Sequence, residues 1–472
     1  MFYKNKIAFF VAFFLSFLYA FAGSIVSVIR YWQYEVFYFD FGIFDTAIWN
    51  VSRFSLPIID HIALGEKIIF ADHFSPSIFI LAPLFWFFPY SETLFVAQAS
   101  MVAASGFVLF LIARHVLKNS FYAISIMSGY FLFVGLQNAV ITDFHEVTIA
   151  TLFLMLTFLY IVKKKKKMYF LVLLLLLGSK ESMFLLGIGV SIALFFIRPS
   201  WRKIAYSTLI ISLLWGLASI KLIIPFFSEG RYFYETQLSP NPIAIFSSFF
   251  DSPIKQHTLL YTFLSFGFLP LLSPVFWPLI FQDFLVRFYP ASFTTRWDMG
   301  LHYSALIAVI MGLASVYSVA FLKGRLKSKA MLVIMIAFLL NAVFLYRFIL
   351  RGPFGLFYNP AFYAHTKDFA FLDNVVKKIP RNASVMTQNN LASHFTHQKV
   401  WLLQAENRPA DQEYYTQKQP DYILIDNRAG QNPNNYWGVK DMNFLLNTLR
   451  NDNKYKLIYK SSGQFLFGKV GR

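Results

Sequence analysis

The chain has 472 residues, of which 57% are hydrophobic and only 14% are charged. A soluble protein with a mean hydropathy of +0.53 could not cover its apolar surface, so the composition predicts a polytopic membrane protein. The net charge of +18 falls in short Lys and Arg clusters between apolar segments, which is the positive-inside pattern and argues against a nucleic-acid partner. The sequence contains no cysteine, which excludes disulfides and thiolate metal sites.

The N-terminal segment predicts a retained first span. Its apolar run, residues 7–29, follows Lys4 and Lys6 and lacks the cleavage pattern of a secretory signal, so we expect the N-terminus inside. A long outer loop, residues 30–90, comes next. Within this loop, residues 74–88 are apolar but short and contain Pro76 and Pro83. We therefore expect a helix that dips into the membrane without crossing it.

Further apolar segments alternate with basic clusters and polar loops. They lie at residues 93–112, 121–136, 147–162, 168–177, 183–197, 204–227, 259–272, 274–288, 303–322 and 331–350. Together with the first segment they predict about eleven spans, given that a bilayer needs about 20 residues per helix. An odd number of spans places the C-terminus outside.

The composition changes near Arg351, where Asn, Gln, Asp and Lys become frequent and no span remains. We expect helices at 367–378 and 443–451, strands at 383–387 and 422–426, and a hairpin of 454–459 with 464–469. The fold class predicted is an α-helical polytopic membrane protein with a small C-terminal α/β domain. The domains are then residues 1–350, in the membrane, and 351–472, a soluble domain on the outer face.

This topology places most of the unusual polar residues at the outer face. They are Asp40, Asp45, Asp72, His73, Asp143, His145, Glu146, Lys180, Glu181, Arg296 and His302. A charged group beside lipid costs free energy unless it is solvated or partnered, so such residues tend to be functional. This collection of polar residues at the outer face predicts a site that opens outward and is bounded below by the membrane.

The first-loop carboxylates have two interpretations. Asp40 and Asp45 could be helix N-caps. Alternatively, one of them acts as general base on an acceptor hydroxyl, or binds a divalent ion that holds a phosphate. Asp72 could start the dipping helix, or act with His73 on a phosphate or a sugar.

The clusters later in the sequence also have more than one interpretation each. Asp143, His145 and Glu146 could form a solvated turn; if a metal is bound, Asp40, His145 and Glu146 are the candidate ligands. Lys180 and Glu181 could neutralise each other, or Lys180 could bind a departing phosphate while Glu181 orients it. The loops of Arg231 and Arg296 could add phosphate contacts. We expect His394 and His397 to be surface or packing residues. Phosphate-loop, serine-nucleophile and zinc-helix motifs are absent from the sequence.

Several motifs in fixed order resemble a family of prokaryotic membrane proteins, domain of unknown function 2079. They are Phe39-Asp40-Phe41-Gly42-Ile43-Phe44-Asp45, Asp72-His73-Phe74-Ser75-Pro76, Asp143-Phe144-His145-Glu146, Lys180-Glu181, His302-Tyr303-Ser304-Ala305, and Gln388-Asn389-Asn390-Leu391 with Ser393-His394. The family in turn resembles the GT-C glycosyltransferases, which take a sugar from a polyprenyl-phosphate donor. The resemblance implies that Asp40, or else Asp45, is the catalytic carboxylate. Many GT-C members carry adjacent acidic residues in this loop, whereas here the two are five apart.

The sequence thus predicts a glycosyltransferase of the cytoplasmic (inner) membrane, which transfers a sugar from a polyprenyl-phosphate-linked donor to an acceptor at the extracytoplasmic face. The expected partners are the donor, membrane lipid and an acceptor. In this hypothesis Asp40 deprotonates the acceptor while Lys180, with Arg296, stabilises the lipid phosphate. A transporter or lipid flippase is the main alternative, and it would require polar groups through the depth of the bilayer. A non-catalytic envelope assembly protein is the third.

Overall fold

The computed structural model describes residues 2–230, 232–234, 241–289 and 293–471. Packing divides the chain into two compact units. We call the first the helical unit, made of Met1–Ser27, Asp72–Ile78 and Phe95–Tyr358. We call the second the sheet unit, made of Val28–Ala71, Phe79–Leu94 and Asn359–Arg472. Most of the first loop therefore packs with the C-terminal segment, whereas the boundary expected at residue 350 groups it with the membrane helices.

Helices dominate the described residues. The α-helices are α1 (Phe2–Trp32), α2 (Ile43–Ser52), α3 (Leu84–Phe87), α4 (Glu92–Leu117), α5 (Ser120–Leu132), α6 (Val134–Ile141), α7 (Glu146–Val162), α8 (Lys166–Leu177), α9 (Met183–Ile197), α10 (Arg202–Ala218), α11 (Ile224–Phe227), α12 (Pro242–Ser247), α13 (Pro253–Ser265), α14 (Trp277–Phe288), α15 (Ala305–Lys323), α16 (Ser328–Phe344), α17 (Pro360–His365), α18 (Ala370–Val376), α19 (Asn389–Ala392), α20 (Tyr414–Lys418) and α21 (Met442–Asn451). Tyr38–Gly42, Ser219–Ile223 and Leu345–Ile349 are π-helical.

Within the described residues, 5 helical segments are long and apolar enough to cross a membrane. They are Lys6–Trp32, Glu92–Leu117, Pro199–Phe227, His302–Lys323 and Ser328–Ile349. The bent pair α5 and α6 is a broken span or a re-entrant loop, and in the first case it is the sixth. α1 exposes large apolar side chains such as Phe10 and Phe13, as expected for a helix in lipid. The predicted spans at 147–162 and 183–197 form the shorter helices α7 and α9. The count of about eleven spans therefore stays a prediction.

The segment predicted to dip into the membrane is short and irregular. A 3₁₀-helix, Pro76–Leu81, is followed by α3, a single turn after Pro83. Proline lacks an amide hydrogen and restricts the preceding residue, which explains why a continuous helix does not form. Whether this segment enters the membrane remains a prediction.

The bent pair α5 and α6 meets at Phe133 with an angle of 54°. Phe133 has an extended backbone, so carbonyl groups near the bend lose their helical partners. The buried side chain of Gln137 replaces them. Its Nε2 donates to the Phe131 carbonyl at 2.8 Å, and its Oε1 accepts from the Phe354 amide at 3.2 Å. The Gln137 side chain therefore provides the hydrogen-bond partners of these two backbone groups at the bend.

The sheet unit contains a hairpin and a mixed sheet. The strands are β1 (Ile58–His61), β2 (Gly65–Ile68), β3 (Val385–Thr387), β4 (Val400–Leu402), β5 (Tyr422–Asp426), β6 (Tyr455–Ser461) and β7 (Gln464–Lys469). β1 and β2 pair antiparallel, and the larger sheet has the order β4-β3-β5-β7-β6. β3 runs parallel to both of its neighbours, while β7 is antiparallel to β5 and β6.

One face of the mixed sheet packs on α21 to form the core of this unit, which includes Ile423, Ile425, Leu445 and Leu449. The β6–β7 turn has positive φ at Ser462 and Gly463, as the tight hairpin turns that match strand twist require. β3, β5, α21 and this hairpin lie where the sequence pattern predicts them. The short strand β4 was not expected, because three residues leave too little alternation to detect.

Candidate functional site

Five charged residues of the helical unit form what we call the ionic cluster: Asp72, His73, Glu146, Lys180 and Glu181. They come from three connections, namely the segment before the 3₁₀-helix Pro76–Leu81, the start of α7, and the turn between α8 and α9. The apolar runs of the sequence are interrupted at these three connections. The polar side chains of one connection can therefore contact those of the others. Residues that are distant in sequence thereby become neighbours.

Lys180 and Glu146 form the tightest ion pair of the cluster. Lys180 Nζ lies 2.7 Å from Glu146 Oε1, and the Glu146 side chain is fully buried. Glu146 also begins α7, where the helix dipole favours a negative charge. Burial alone would lower the pKa of Lys180, but the carboxylates of Glu146 and Glu181 outweigh it and raise that pKa. Lys180 is therefore held as a cation whose charge is already partnered.

His73 joins two carboxylates. Its Nδ1 lies 2.9 Å from Glu181 Oε1, and its Nε2 lies 3.9 Å from Asp72 Oδ2. Burial would lower the pKa of His73, but the charges of Asp72 and Glu181 raise it above its usual value. The geometry thus favours the imidazolium form.

Two tyrosines donate further hydrogen bonds to these carboxylates. The Tyr232 hydroxyl donates to Glu181 Oε1 at 3.2 Å, and the Tyr234 hydroxyl donates to Asp72 Oδ1 at 2.9 Å. Tyr234 also stacks on the His73 ring with centroids 4.5 Å apart. Sequence reasoning missed both residues; the available signal was two tyrosines beside Arg231 in an outer loop. Arg231 itself lies outside the described residues.

Arg296 has a different environment from Lys180. Its guanidinium carbon lies over three aromatic rings, at 4.2 Å from Phe293, 5.8 Å from Tyr303 and 5.9 Å from Tyr234. Its Nε is buried without a hydrogen-bond partner among the residues that the structure describes. Aromatic faces attract a cation without neutralising it. Arg296 therefore keeps hydrogen-bonding capacity for an anion.

His145 and His302 stack with ring centroids 3.5 Å apart, and both are buried. Asp143 is also buried, so the connection before α7 is not the solvated turn that was one of its two interpretations. Gln98 of α4 holds this connection: its Nε2 donates to the Asp143 carbonyl at 3.1 Å and its Oε1 accepts from the His145 amide at 3.1 Å. A lone glutamine in an apolar helix was the signal for this role.

The structure offers no pre-formed metal site in the parts of the chain that it describes, since no three His, Asp or Glu side chains are grouped to hold an ion. His145 and Glu146 were candidate ligands with Asp40. In the helical unit Glu146 instead binds Lys180.

Asp40 and Asp45 belong to the sheet unit. Asp40 is half-buried within the π-helix Tyr38–Gly42, and the N-caps of this helix and of α2 are Phe37 and Gly42. Neither aspartate is therefore an N-cap. π-Helical turns are rare and often occur at functional sites.

Asp45 is fully buried and engaged. Its Oδ2 accepts from the Thr396 hydroxyl at 2.6 Å and lies 3.2 Å from His397 Nε2. The His397 ring stacks on Trp49 at 3.9 Å. The expectation that His397 is only a surface or packing residue therefore misses this carboxylate contact. His394 does pack, between the rings of Tyr31 and Tyr34 at 4.2 and 4.0 Å, and burial lowers its pKa to about 3.

The helical unit thus contains all nine predicted substrate-binding residues, and it brings five of them together in the ionic cluster. His145 stacks on His302, Asp143 lies in the same connection as His145, and Arg296 reaches the rings of Tyr234 and Tyr303. Asp40 and Asp45 are in the sheet unit, and their convergence with Lys180 and His145 stays a prediction.

These apolar helices with a buried charged cluster define a polytopic membrane protein. The chain belongs to the family described as "Predicted membrane protein (DUF2079)", whose match covers residues 30–466. This confirms the family resemblance drawn from the motifs. A comparison with curated proteins finds no match.

The fold resembles that of ArnT from Cupriavidus metallidurans, which was crystallised bound to undecaprenyl phosphate. The TM-score is 0.56, and the match covers 98% of each chain at 11% sequence identity. At this identity the likeness concerns the fold alone. It confirms the predicted resemblance to the GT-C glycosyltransferase fold.

Proposed function

We propose that the protein is a membrane glycosyltransferase that takes a sugar from a polyprenyl-phosphate-linked donor and transfers it to an acceptor at the extracytoplasmic face. The observation that carries the proposal is the half-buried Arg296 guanidinium, which has aromatic neighbours and no described carboxylate partner, beside a cluster that includes two further cations. The ArnT-like fold supports the same proposal.

Arg296 is the side chain that we assign to the donor phosphate. A planar guanidinium binds phosphate oxygens in pairs, and such charge-assisted hydrogen bonds are among the strongest in proteins. Lys180 is already bound to Glu146 at 2.7 Å, so its contribution to a phosphate is smaller. As the sugar leaves, negative charge grows on the phosphate, and Arg296 stabilises that charge with Lys180 and His73 in support.

Asp40 is the carboxylate that we assign to the acceptor hydroxyl. The Asp45 carboxylate is fully buried and held by Thr396 and His397, whereas Asp40 is partly exposed. A general base must reach the proton that it removes, which favours the more accessible group. We propose that Asp45 fixes the loop that carries Asp40.

The topology that we propose follows the charge pattern of the sequence. About eleven helical segments cross or enter the cytoplasmic membrane, the N-terminus lies inside, and residues 351–472 lie outside. This arrangement places the reaction where a lipid-linked sugar is available outside the cell.

Binding of undecaprenyl phosphate to the purified protein tests the assignment of Arg296. Native mass spectrometry should detect the bound lipid on the unaltered protein, and Arg296→Met should weaken binding by about 10- to 100-fold, the loss expected for charged hydrogen bonds. Arg347→Met is the matched control, because Arg347 is exposed and also contacts an aromatic ring. Equal binding by the Arg296 variant would remove this residue from the donor site.

Transfer itself is tested in cells. Mass spectrometry of envelope glycans should differ between cells with and without the gene, and Asp40→Asn should reproduce the deletion while the protein still inserts into the membrane. Unchanged glycans in the deletion strain would contradict the enzymatic proposal and favour the transporter or assembly alternatives.

A further inference from the structure

The sheet unit contains a cavity of about 570 Å³, within the size range of small-molecule sites. We call it the amide cavity. It is lined by Arg30, Gln33, Tyr34, Glu35, Phe37, His365, Phe369, Asn390, Arg428, Ala429, Gly430, Gln431, Asn432 and Asn435. Asn390 belongs to the Gln388-Asn389-Asn390-Leu391 motif, which the proposed transfer reaction does not use.

Two buried amide side chains among the lining residues have side-chain oxygens without a described hydrogen-bond partner. Gln33 is 1% exposed; its Nε2 donates to the Phe362 carbonyl at 2.6 Å, but its Oε1 has no hydrogen-bond partner in the described chain. Asn390 is 3% exposed; its Nδ2 points to the Tyr34 carbonyl at 3.5 Å, and its Oδ1 likewise has no described partner. A buried acceptor left unpaired costs free energy, which a ligand that donates hydrogen bonds would recover.

The charged side chains that line the cavity are already paired. Arg30 binds Glu35 at 3.1 Å. Arg428 binds both oxygens of Asp426, at 3.0 and 2.8 Å. His365 lies 2.8 Å from Asp368. No net charge is left over among these pairs to attract an ionic ligand.

Aromatic rings form the remaining walls. Tyr34 and Phe369 are stacked with centroids 6.2 Å apart, and Phe37 lines the cavity beside them. A fitting ligand has apolar C–H faces for these rings and several neutral donors for the amide oxygens. Sugar rings have both properties. A phosphate has few protons to donate, and its oxygens would repel those of Gln33 and Asn390.

We infer that the amide cavity is a binding site for a neutral saccharide. The occupant donates hydroxyl hydrogens to Gln33 Oε1 and Asn390 Oδ1 and packs its C–H faces on the partly exposed rings of Phe37 and Phe369. The inference is separate from the transfer reaction, since it depends on residues of the sheet unit that have no assigned role in chemistry.

The test uses the full-length protein in lipid nanodiscs, which avoid detergents with sugar headgroups. Saturation-transfer NMR with maltose, lactose and N,N′-diacetylchitobiose should show binding of at least one disaccharide. Inorganic phosphate at the same concentration should not compete. Absence of binding by all three disaccharides, or displacement by phosphate, would overturn the inference.

Two variants locate the binding. Asn390→Leu removes one acceptor and should weaken binding about tenfold, as expected for a lost hydrogen bond. Ala429→Trp adds bulk at an exposed lining position and should abolish binding without touching the core. Asn447→Leu, on the exposed face of α21 outside the cavity, is the matched control. Unchanged binding by Ala429→Trp would place the saccharide elsewhere and contradict the assignment.

A further measurement separates this inference from the proposed function. Asp40→Asn and Arg296→Met, which should impair transfer and donor binding, should retain disaccharide binding. If transfer fails to be observed but the disaccharide is bound and lost on Ala429→Trp, only the proposed function is contradicted.

Discussion

The ionic cluster of the helical unit and the amide cavity of the sheet unit differ in how their polar groups are paired. In the cluster, carboxylates meet cations at 2.7 and 2.9 Å, and Tyr232 and Tyr234 donate hydrogen bonds to Glu181 and Asp72. In the cavity, charges are paired among themselves while two neutral oxygens remain open. Under the two proposals above, the first region would take a charged ligand and the second a neutral hydroxylated one.

The largest expected effect comes from breaking the buried ion pair. Glu146→Gln leaves Lys180 without its nearest carboxylate, and removing one partner of such a pair typically costs about 3–5 kcal/mol. Thermal unfolding of the purified protein should show this loss. The double variant Glu146→Gln with Lys180→Met should recover part of it, because no orphaned cation remains. Equal losses in the single and double variants would mean that the pair is not coupled.

The next effect concerns Asp60, a carboxylate of the sheet unit that forms no ion pair with the residues that the structure describes. Asp60 accepts from the Leu402 amide at 2.7 Å and the Tyr414 hydroxyl at 2.8 Å, and burial raises its pKa to about 6. Because the folded pKa exceeds the unfolded value, the stabilisation is present below about pH 3.8 and is lost as the pH rises through about 6.

Comparison with Asp60→Asn isolates this contribution. The difference in unfolding free energy between the two proteins should change by about 2 kcal/mol between pH 4 and pH 7, in favour of the variant at pH 7. Chemical unfolding at several pH values measures it. A constant difference across this range would show that Asp60 titrates normally.

A smaller effect is expected for the hydroxyl that supports the cluster. Tyr234→Phe removes the hydrogen bond to Asp72 at 2.9 Å, which should cost about 1.5–3 kcal/mol, as for other bonds to charged groups. Tyr206→Phe, an exposed tyrosine of α10, should leave the melting temperature unchanged. A similar small change in both variants would argue that Asp72 is solvated instead.

The smallest effect is expected in the amide cavity. Asn390→Leu should change the free energy of unfolding by less than about 1 kcal/mol, since it removes an unpaired acceptor together with one long hydrogen bond. If the amide cavity binds a saccharide as inferred, the same variant should weaken that binding. A large loss of stability, measured by thermal unfolding without sugar, would indicate a structural role for this asparagine.

Much of the architecture follows from local sequence patterns. Apolar runs predict α1, α4 and α15, and alternation predicts β5 and the β6–β7 hairpin, because these signals depend only on neighbouring residues. The grouping of His73 with Glu181 was only partly visible. The sequence places both at the outer face, but contact across 108 positions depends on how the helices pack.

Residues missed by the sequence analysis share one property. Tyr232, Gln98 and Thr396 act through a single hydrogen bond or a few to partners far along the chain, and no local pattern marks such a partner. The sequence also did not reveal that the first loop is divided between the two units. Its polar composition indicates exposure to water, whereas its packing with residues 359–472 is a long-range property.

The bend at Phe133 places an unusual demand on one position. Gln137 donates a hydrogen bond to one backbone group and accepts a hydrogen bond from another. Neither a carboxylate nor a hydrocarbon side chain of the same length could replace it, because neither is both donor and acceptor. The primary amide of Gln137 makes the hydrogen bonds that water would make outside the membrane. The position therefore requires a side chain that can be donor and acceptor at the same time.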